Sequence, residues 1–443
     1  MSSEHLSLPI DPTSADRLAT SGLRMELVDT SDRVAFATWI QAEARGFHDA
    51  RMSQATIDEH LVRINNRRST GIFDPSAAEP AVPVATVSSW PTALTVPGRR
   101  SVDAIAISAV TVSPTHRRKG IARAMLEAEL RTAASQGVPV AVLTVSETTI
   151  YGRYGFAPTA MSVDLTINPA RARWVGPDAP GRIHFVNVDQ LHTEGAALLE
   201  KIRLSTAGQI EMSAWHWDRM LGLVGDTGDS AKKLRLVRYD NPDGEPEGFA
   251  VYTLDESKDG FFTFDLDIKF LVSATDDAAA GLWRFLLDQD LVSSITARLR
   301  SLDDPISWQV SDFRAVSKSL QRDHLWARVL DVPAALSGRT FNGPAEIILD
   351  VTDPLGFADG RFSLSVNSTG DATVTEVARG QAVAAGTAHV ALNVTELGAL
   401  YLGGVSASTL SHAGRVTELS DGAAATLDEA FRTAVAPFLS FWF

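Results

Sequence analysis

The segment 110–125 (VTVSPTHRRKGIARAM) most constrains the fold, because it predicts a strand that breaks into a basic, glycine-containing turn and then opens a helix. The free N–H groups of a helix's first turn, together with the helix dipole, favour an anion there. Gly120 and Ala122 keep the turn bare enough for close approach. Positive charge comes from Arg117, Arg118, Lys119 and Arg123. The segment predicts a pyrophosphate site; the alternative is an ordinary basic helix N-terminus.

The composition indicates a globular protein of about three domains, since 443 residues include 45% hydrophobic and 21% charged side chains. The absence of cysteine excludes disulfides, thiolate nucleophiles and zinc-thiolate sites. The net charge of −14 argues against nucleic acid as a partner and would attract a polycation, although it could serve solubility alone. The sequence shows neither a signal peptide nor a transmembrane run, so we expect a cytoplasmic protein without a membrane partner.

Four segments differ in pattern along the chain. Residues 1–22 are polar and contain proline without periodicity, which predicts a loose N-terminal arm. Residues 23–161 alternate strands and helices around the basic turn, and residues 162–318 begin a second alternation. The helix after the turn is expected from about Arg118 to Gln136, with an inward face of Ile121, Met125, Ala128 and Ala133. Residues 319–443 combine short strands, a hairpin turn and helices, one of which is expected to begin near Asn393. We therefore expect a mixed α/β and α+β multidomain fold.

The second alternation echoes the first but lacks its charge. Asp276 and Asp277 stand at the turn where the first unit has arginines, and carboxylates there would repel a pyrophosphate. This predicts a degenerate, non-binding copy of the first unit. The alternative is an unrelated α/β segment whose aspartates only cap a helix.

Four further landmarks occur in order along the chain and carry a family resemblance. The spacing Arg117-x-x-Gly120-x-Ala122 matches the R/Q-x-x-G-x-G/A signature of GNAT acyltransferases. It is followed by SETTIYGRYGFAP at 146–158, LWARVLDVPAAL at 325–336, LYLGG at 400–404 and a final FWF. Together they resemble the enhanced intracellular survival (Eis) family of acetyltransferases.

That resemblance implies an N-terminal catalytic GNAT domain, a central GNAT-like domain that binds no cofactor and a sterol-carrier-like C-terminal domain. It also implies acetyl-CoA as cosubstrate, no metal, a hexamer, and acetylation of aminoglycosides at several amines. The backbone of Val110 and Val112 would pair with the pantetheine arm of acetyl-CoA, so the strand is expected to splay there; the alternative is plain strand core. The residues expected to contact acetyl-CoA are Val110, Val112, Arg117, Arg118, Lys119, Gly120, Ile121, Ala122, Arg123 and Ser146.

Two catalytic groups are predicted. Tyr151 is the candidate general acid, because a phenol of ordinary pKa stays protonated at neutral pH and can donate to a leaving thiolate. One alternative is that Tyr154 is the acid, and another is that either ring only packs against the sheet. The aromatic C-terminal tail is expected to dock, and by resemblance the α-carboxylate of Phe443 would act as base, made more basic by desolvation. The alternative is a tail that only seals a domain interface.

The resemblance places an aromatic ring and an aspartate at the acceptor site, at Phe47 and Asp49, although the alternative is a hydrophobic contact beside a solvated aspartate. Trp442 also belongs to this predicted site, although the best-known family members have an acidic residue at this penultimate position. Glu59 falls near the position of a pocket tryptophan of the family. His48 and His116 are isolated, which predicts surface positions and no metal.

These observations predict an acetyl-CoA-dependent N-acetyltransferase for small amines of the aminoglycoside or polyamine-like class. One alternative keeps the cofactor but takes protein lysine as the acceptor. Another is a non-enzymatic lipid carrier or scaffold, based on the C-terminal module. The Arg117, Gly120 and Tyr151 positions argue against a pure carrier, which would not need an intact pyrophosphate site.

Overall fold

The computed structural model describes residues 2–63, 66–225, 228–258 and 262–443. Every helix in these ranges is too short or too polar to span a membrane. The first unit contains α1 (Ser2–Ser7), α2 (Pro12–Ala19), β1 (Arg24–Leu27), α3 (Arg33–Gly46), α4 (Gln54–Arg63), β2 (Arg68–Phe73), β3 (Ala85–Val96), β4 (Arg100–Val112), α5 (Ile121–Ser135), β5 (Val140–Thr144), α6 (Thr148–Tyr151) and β6 (Ala157–Ile167).

The N-terminal segment is helical and packed, so the prediction of a loose arm over residues 1–22 is wrong. Asp11 caps α2 by accepting from the Ser14 N–H, and it also accepts two hydrogen bonds from Arg131 on α5. His5 is fully buried, with its ring nitrogens bonded to Gln136 and Ser89. A polar sequence is ordered here because its side chains find buried polar partners, which composition does not reveal.

The second unit continues the same alternation of strands and helices. Its elements are β7 (Arg182–Phe185), α7 (Val188–Arg203), α8 (Ala214–Met220), α9 (Asp229–Lys232), β8 (Arg235–Asp240), β9 (Pro246–Glu256), β10 (Phe264–Ser273), α10 (Asp276–Leu287), β11 (Val292–Arg300) and β12 (Val316–Val329).

In the described residues, twelve strands form one large sheet in the order β1-β2-β3-β4-β5-β12-β6-β11-β10-β9-β8-β7. The last strand of the second unit, β12, inserts between β5 and β6 and pairs antiparallel with both. The predicted domain boundaries at 161/162 and 318/319 therefore fall inside strands, within β6 and β12. The two α/β units share one sheet, which a boundary drawn from local pattern could not show.

The two units repeat the same crossover. In the first, α5 connects the parallel strands β4 and β5; in the second, α10 connects the parallel strands β10 and β11. Thr275 caps α10, and Asp276 and Asp277 occupy its first turn, where they complement the helix dipole. The inward face predicted for α5 is confirmed, since Ile121, Met125 and Ala128 are buried.

The C-terminal unit forms a separate sheet in the order β15-β14-β13-β16-β17. The predicted helix near Asn393 is confirmed and begins with a capping box between Asn393 and Glu396. The elements are α11 (Val332–Ser337), β13 (Ala345–Thr352), β14 (Gly360–Val366), β15 (Ala372–Val377), β16 (Ala388–Asn393), α12 (Val394–Leu400), α13 (Ala407–His412), β17 (Val416–Glu418) and α14 (Ala423–Phe431).

A buried ion pair ties this unit to the large sheet. The Arg328 guanidinium on β12 donates to Asp353 at 2.6 Å, and both side chains are almost fully buried. The Nε of Arg328 also donates to the Tyr154 carbonyl at 2.9 Å. These contacts hold the loop after β5 against the C-terminal unit. Removing either partner of the ion pair would leave a buried charge uncompensated.

Candidate active site

The strands β4 and β5 separate at the centre of the first unit. Their parallel pairing stops at Ala106 and Val142, although both strands continue beyond these residues. Opposite β3, β4 contains a bulge in which Ala109 has a φ of 56°. The bulge bends β4 away from β5 and opens a gap between them.

Val110 and Val112 follow the bulge and are half-buried. Beyond Ala106, the edge of β4 that faces the gap is no longer paired with β5. An extended chain could pair with this edge as an added strand, which agrees with the splay expected at these valines.

The basic turn leads from β4 into α5. Arg118 and Gly120 both have positive φ, at 63° and 75°, and the helix begins at Ile121 rather than near Arg118 as expected. Among the described residues, no side chain caps α5 and no atom lies within 4 Å of a Cβ placed on Gly120. The turn therefore presents uncapped helix N–H groups to open space, a geometry that suits a phosphate group.

The predicted cofactor residues differ in what they offer to this space. Ile121 is buried in the core, whereas Ala122 is half-buried. Arg123 donates to Glu127 at 2.6 Å, so part of its charge is already paired. The exposed side chains at and after the turn include Arg117, Arg118, Lys119 and Ser146. The exposed cationic groups and the bare turn together fit the pyrophosphate of acetyl-CoA.

Tyr151 ends the short helix α6 and is 6% exposed. Burial raises the pKa of its phenol to about 12, with the nearby Glu147 carboxylate acting in the same direction. The phenol is therefore fully protonated at neutral pH and can serve as a proton donor. Tyr154 is also buried, and its pKa is raised mainly by burial.

The C-terminal tail docks as predicted. Phe438, Leu439 and Phe441 are buried. The Phe438 N–H donates to the Ala207 carbonyl at 2.8 Å, and the Phe441 carbonyl accepts from His324 Nε2 at 2.9 Å. Burial lowers the pKa of His324 to about 4, so the ring is neutral at pH 7 and its Nε2–H is the donor.

The last residue reaches the gap beside β5. The Thr144 hydroxyl at the end of β5 donates to the main-chain oxygen of Phe443 at 2.9 Å. The Phe443 ring meets Trp90 of β3 edge-on, with 5.6 Å between centroids. The structure therefore brings Phe443 to β5, which borders the gap, and to β3, the other neighbour of β4.

The three residues predicted for the acceptor site do not form one cluster. Phe47 caps the C-terminus of α3 and is 41% exposed, and Asp49 is exposed just after it. Trp442 instead packs its ring on His324, with 4.5 Å between centroids. The rings of Phe441 and Phe443 instead contact each other, with 6.4 Å between centroids.

Sequence reasoning missed a group of rings and cations contributed by both α/β units. Arg67 lies over the face of Trp90, 3.8 Å from the ring centroid. On α8, Trp215 contacts His60 of α4, and His216 contacts Phe441 of the tail. No local pattern marks these residues, because they meet only when the second unit packs on the first.

A cavity of about 480 Å³ opens beside the tail. Trp90 of β3, Trp217 of α8 and Phe441 form part of its wall. Because Trp90 also contacts Phe443, the cavity lies next to the end of the tail and is large enough for a small organic amine.

The two isolated histidines differ in position. His48 is exposed, as expected, but His116 is buried and bonds Asp74 at 3.0 Å, so its predicted surface position is wrong. The hydrogen bond from His116 lowers the pKa of the Asp74 carboxyl. Within the described ranges, acidic and histidine side chains form no group of three that could hold a metal.

Comparison with protein families agrees with this architecture. An acetyltransferase (GNAT) domain model matches residues 31–159, a second acetyltransferase (GNAT) domain model matches 208–329, and a sterol carrier protein domain model matches 332–440. The expectation of two GNAT-like units followed by a sterol-carrier-like unit is confirmed. GNAT domains use acetyl-CoA as the acetyl donor.

Full-length relatives give the same result. An uncharacterized N-acetyltransferase of Streptomyces avermitilis is 34% identical, with 91% of this chain and 95% of the relative aligned. The N-acetyltransferase Eis of Mycobacterium tuberculosis is 31% identical over 77% of this chain and 81% of its own. The crystal structure of Eis1 from Mycobacterium abscessus superposes with a TM-score of 0.79 at 27% identity, covering 95% of this chain and all of that one. The chain therefore belongs to the Eis family of GNAT N-acetyltransferases.

Proposed function

We propose that this enzyme transfers the acetyl group of acetyl-CoA to amines of aminoglycoside or polyamine-like acceptors, at more than one position of the same molecule. The observation that carries the proposal is the position of Phe443, whose oxygen is bonded to Thr144 beside the β4–β5 gap. A cavity wide enough for a small amine borders the same tail. The net charge of −14 favours the approach of polycations.

The turn from Arg117 to Gly120 would hold the pyrophosphate, and the edge of β4 at Val110 and Val112 would pair with the pantetheine arm. The thioester then lies in the gap between β4 and β5. Backbone N–H groups at the bulge can polarise its carbonyl, since donors fixed by the fold need no reorganisation.

The α-carboxylate of Phe443 would accept a proton from the acceptor's ammonium group. The neutral nitrogen forms a bond to the thioester carbon, and collapse of the tetrahedral intermediate breaks the carbon–sulfur bond. Tyr151 would give its proton to the departing thiolate, and the second proton that the nitrogen loses on becoming an amide would restore the phenol. Its raised pKa keeps that proton in place until the sulfur develops charge.

An assay of coenzyme A release with kanamycin, spermidine and a lysine peptide tests the acceptor class. Faster release with the two small polyamines supports the proposal, and a preference for the peptide contradicts it. The hexameric assembly and the cytoplasmic location remain predictions from the family resemblance and the sequence. Light scattering of the purified protein measures the assembly.

The proposed base is tested by joining a synthetic C-terminal peptide that ends in an amide. Amidation removes the charge of Phe443 and retains its ring. We expect a large loss of transfer with little change in stability. An amidated enzyme with unchanged kcat/KM and the same ascending limb of its pH profile would contradict the role of the carboxylate.

A further inference from the structure

The acidic side chains in the wall of the 480 Å³ cavity differ in whether a cation already neutralises them. Both oxygens of Glu200 accept from Arg203, at 2.7 and 2.6 Å, so these two charges offset each other. His192, also in the wall, bonds Asp218 at 2.7 Å. Glu211 lines the same cavity and is exposed, and no cation among the described residues pairs with its carboxylate. Glu211 is therefore available to bind a cation that enters the cavity.

Carboxylates outnumber guanidinium groups in this wall. Arg203 is the single arginine among the described lining residues, and its remaining donors bond side chains of β3 and β4. Arg67 and Arg219 line no part of the cavity, since each guanidinium lies over a tryptophan ring. Burial lowers the pKa of Arg67 to about 10 and the Glu43 carboxylate opposes this change, so Arg67 has a counter-charge of its own. The wall therefore favours a cation.

Main-chain pairing fixes the position of Glu211 relative to the tail. The segment before α8 pairs antiparallel with the end of β3, where Ile210 bridges Leu94. Glu211 continues this segment in the direction of Trp90, so the two residues are roughly 10 Å apart at about 3.4 Å per residue. Trp90 contacts the ring of Phe443, the last residue of the tail. The cavity therefore has a carboxylate at one end and the C-terminus next to the other.

A buried hydroxyl between these two ends lacks a partner. Thr92 lies on β3 two residues after Trp90, lines the cavity and is 5% exposed. Its Oγ1 has no hydrogen-bond partner in the part of the chain that the structure describes. An unpaired buried hydroxyl is costly, and rotation of χ1 would turn it towards a donor in the cavity. The N–H groups of a polyamine supply such donors.

We propose that Glu211 binds the distal ammonium group of a long diamine or polyamine acceptor, whose reacting amine lies at the Phe443 carboxylate. The inference rests on the proposed function, which supplies the first of these two sites. Trp90 and Trp217 border the path between them, and their rings suit a chain that carries positive charge. An acceptor with its amines at the two ends of the cavity reaches both carboxylates, whereas a short diamine reaches one.

The test compares α,ω-diaminooctane with two amines that cannot use both sites: α,ω-diaminopropane, which is too short, and octylamine, which lacks the second amine. Glu211→Gln is expected to raise KM for diaminooctane about fivefold, as for a partly exposed ion pair, and to change kcat little. KM for the other two amines should stay unchanged. Glu211→Asp retains the charge and should keep most of the preference. Glu376→Gln, which removes an exposed carboxylate from β15 of the separate C-terminal sheet, is the matched control and should behave as wild type.

The salt dependence gives a second readout. Added salt screens exposed charges, and the Glu211 site is open to solvent. The ratio of KM for octylamine to KM for diaminooctane should therefore fall with added sodium chloride in the wild-type enzyme and stay nearly constant in Glu211→Gln. A ratio that falls equally in both enzymes overturns the inference.

Calorimetric titration of diaminooctane into each enzyme separates this inference from the proposed function. Weaker binding to Glu211→Gln supports the inference, even if the wild-type enzyme binds diaminooctane without acetylating it, a result that would contradict the proposed function alone. Equal binding to wild type and Glu211→Gln overturns the inference. A Glu211→Gln enzyme that is only less heat-stable, with an unchanged ratio of the two KM values, overturns it as well.

Discussion

Thr144→Val tests the link between the tail and the β4–β5 gap. Valine keeps the shape of threonine but cannot donate to the Phe443 oxygen, which the hydroxyl meets at 2.9 Å. A hydrogen bond to a charged group contributes about 1.5–3 kcal/mol. If that bond positions the carboxylate for proton transfer, its loss should lower kcat/KM roughly 10- to 150-fold, because about 1.4 kcal/mol corresponds to a factor of ten.

The assay is coenzyme A release with spermidine across pH, together with thermal unfolding. The tail should stay docked in Thr144→Val, because Leu439 and Phe441 remain buried and His324 still bonds the tail. We therefore expect the activity to fall much more than the melting temperature. Thr144→Ser, which retains the hydroxyl, is the control and should keep most of the activity. Wild-type kcat/KM in Thr144→Val would refute the reasoning.

Three further predictions concern the cofactor site, the acid and the link between units. Arg117→Glu combined with Gly120→Asp should abolish acetyl-CoA binding in calorimetry while lowering the melting temperature only modestly, since both positions are exposed but the φ of 75° at Gly120 strains any other residue; unchanged affinity would contradict the pyrophosphate site. Tyr151→Phe should lower kcat by roughly 10²–10⁴ and Tyr154→Phe much less, and a reversed order would assign the acid to Tyr154. Asp353→Asn leaves the buried Arg328 guanidinium on β12 without its counter-charge and should lower the free energy of unfolding by about 3–5 kcal/mol. An unchanged midpoint of denaturant unfolding would contradict the link between the C-terminal unit and the large sheet.

Local sequence signals predicted the elements whose chemistry is local. The turn before α5, the cap at Asn393 and the docking of the aromatic tail all follow from neighbouring residues, and the structure contains each of them. The start of α5 was misplaced because Arg118 adopts a left-handed conformation, which its residue type does not suggest.

The features that the sequence did not reveal depend mostly on contacts between residues that are far apart in the chain. His5 gives no sign that it will be buried against Ser89, and nothing near Trp215 indicates its contact with His60. The bulge at Ala109 is likewise invisible in a nearly continuous apolar strand. The family resemblance singled out Tyr151 over Tyr154 and the terminal carboxylate of Phe443.

The insertion of β12 between β5 and β6 has a consequence for synthesis on the ribosome. Translation completes β5 and β6 early, yet the strand that separates them follows only after the whole second unit has emerged. Until then β5 and β6 each have an open edge on that side, and a fragment ending near residue 161 would keep those edges exposed. The first unit therefore reaches its native sheet only once about three quarters of the chain has been made, so production of that unit alone should yield an aggregating fragment.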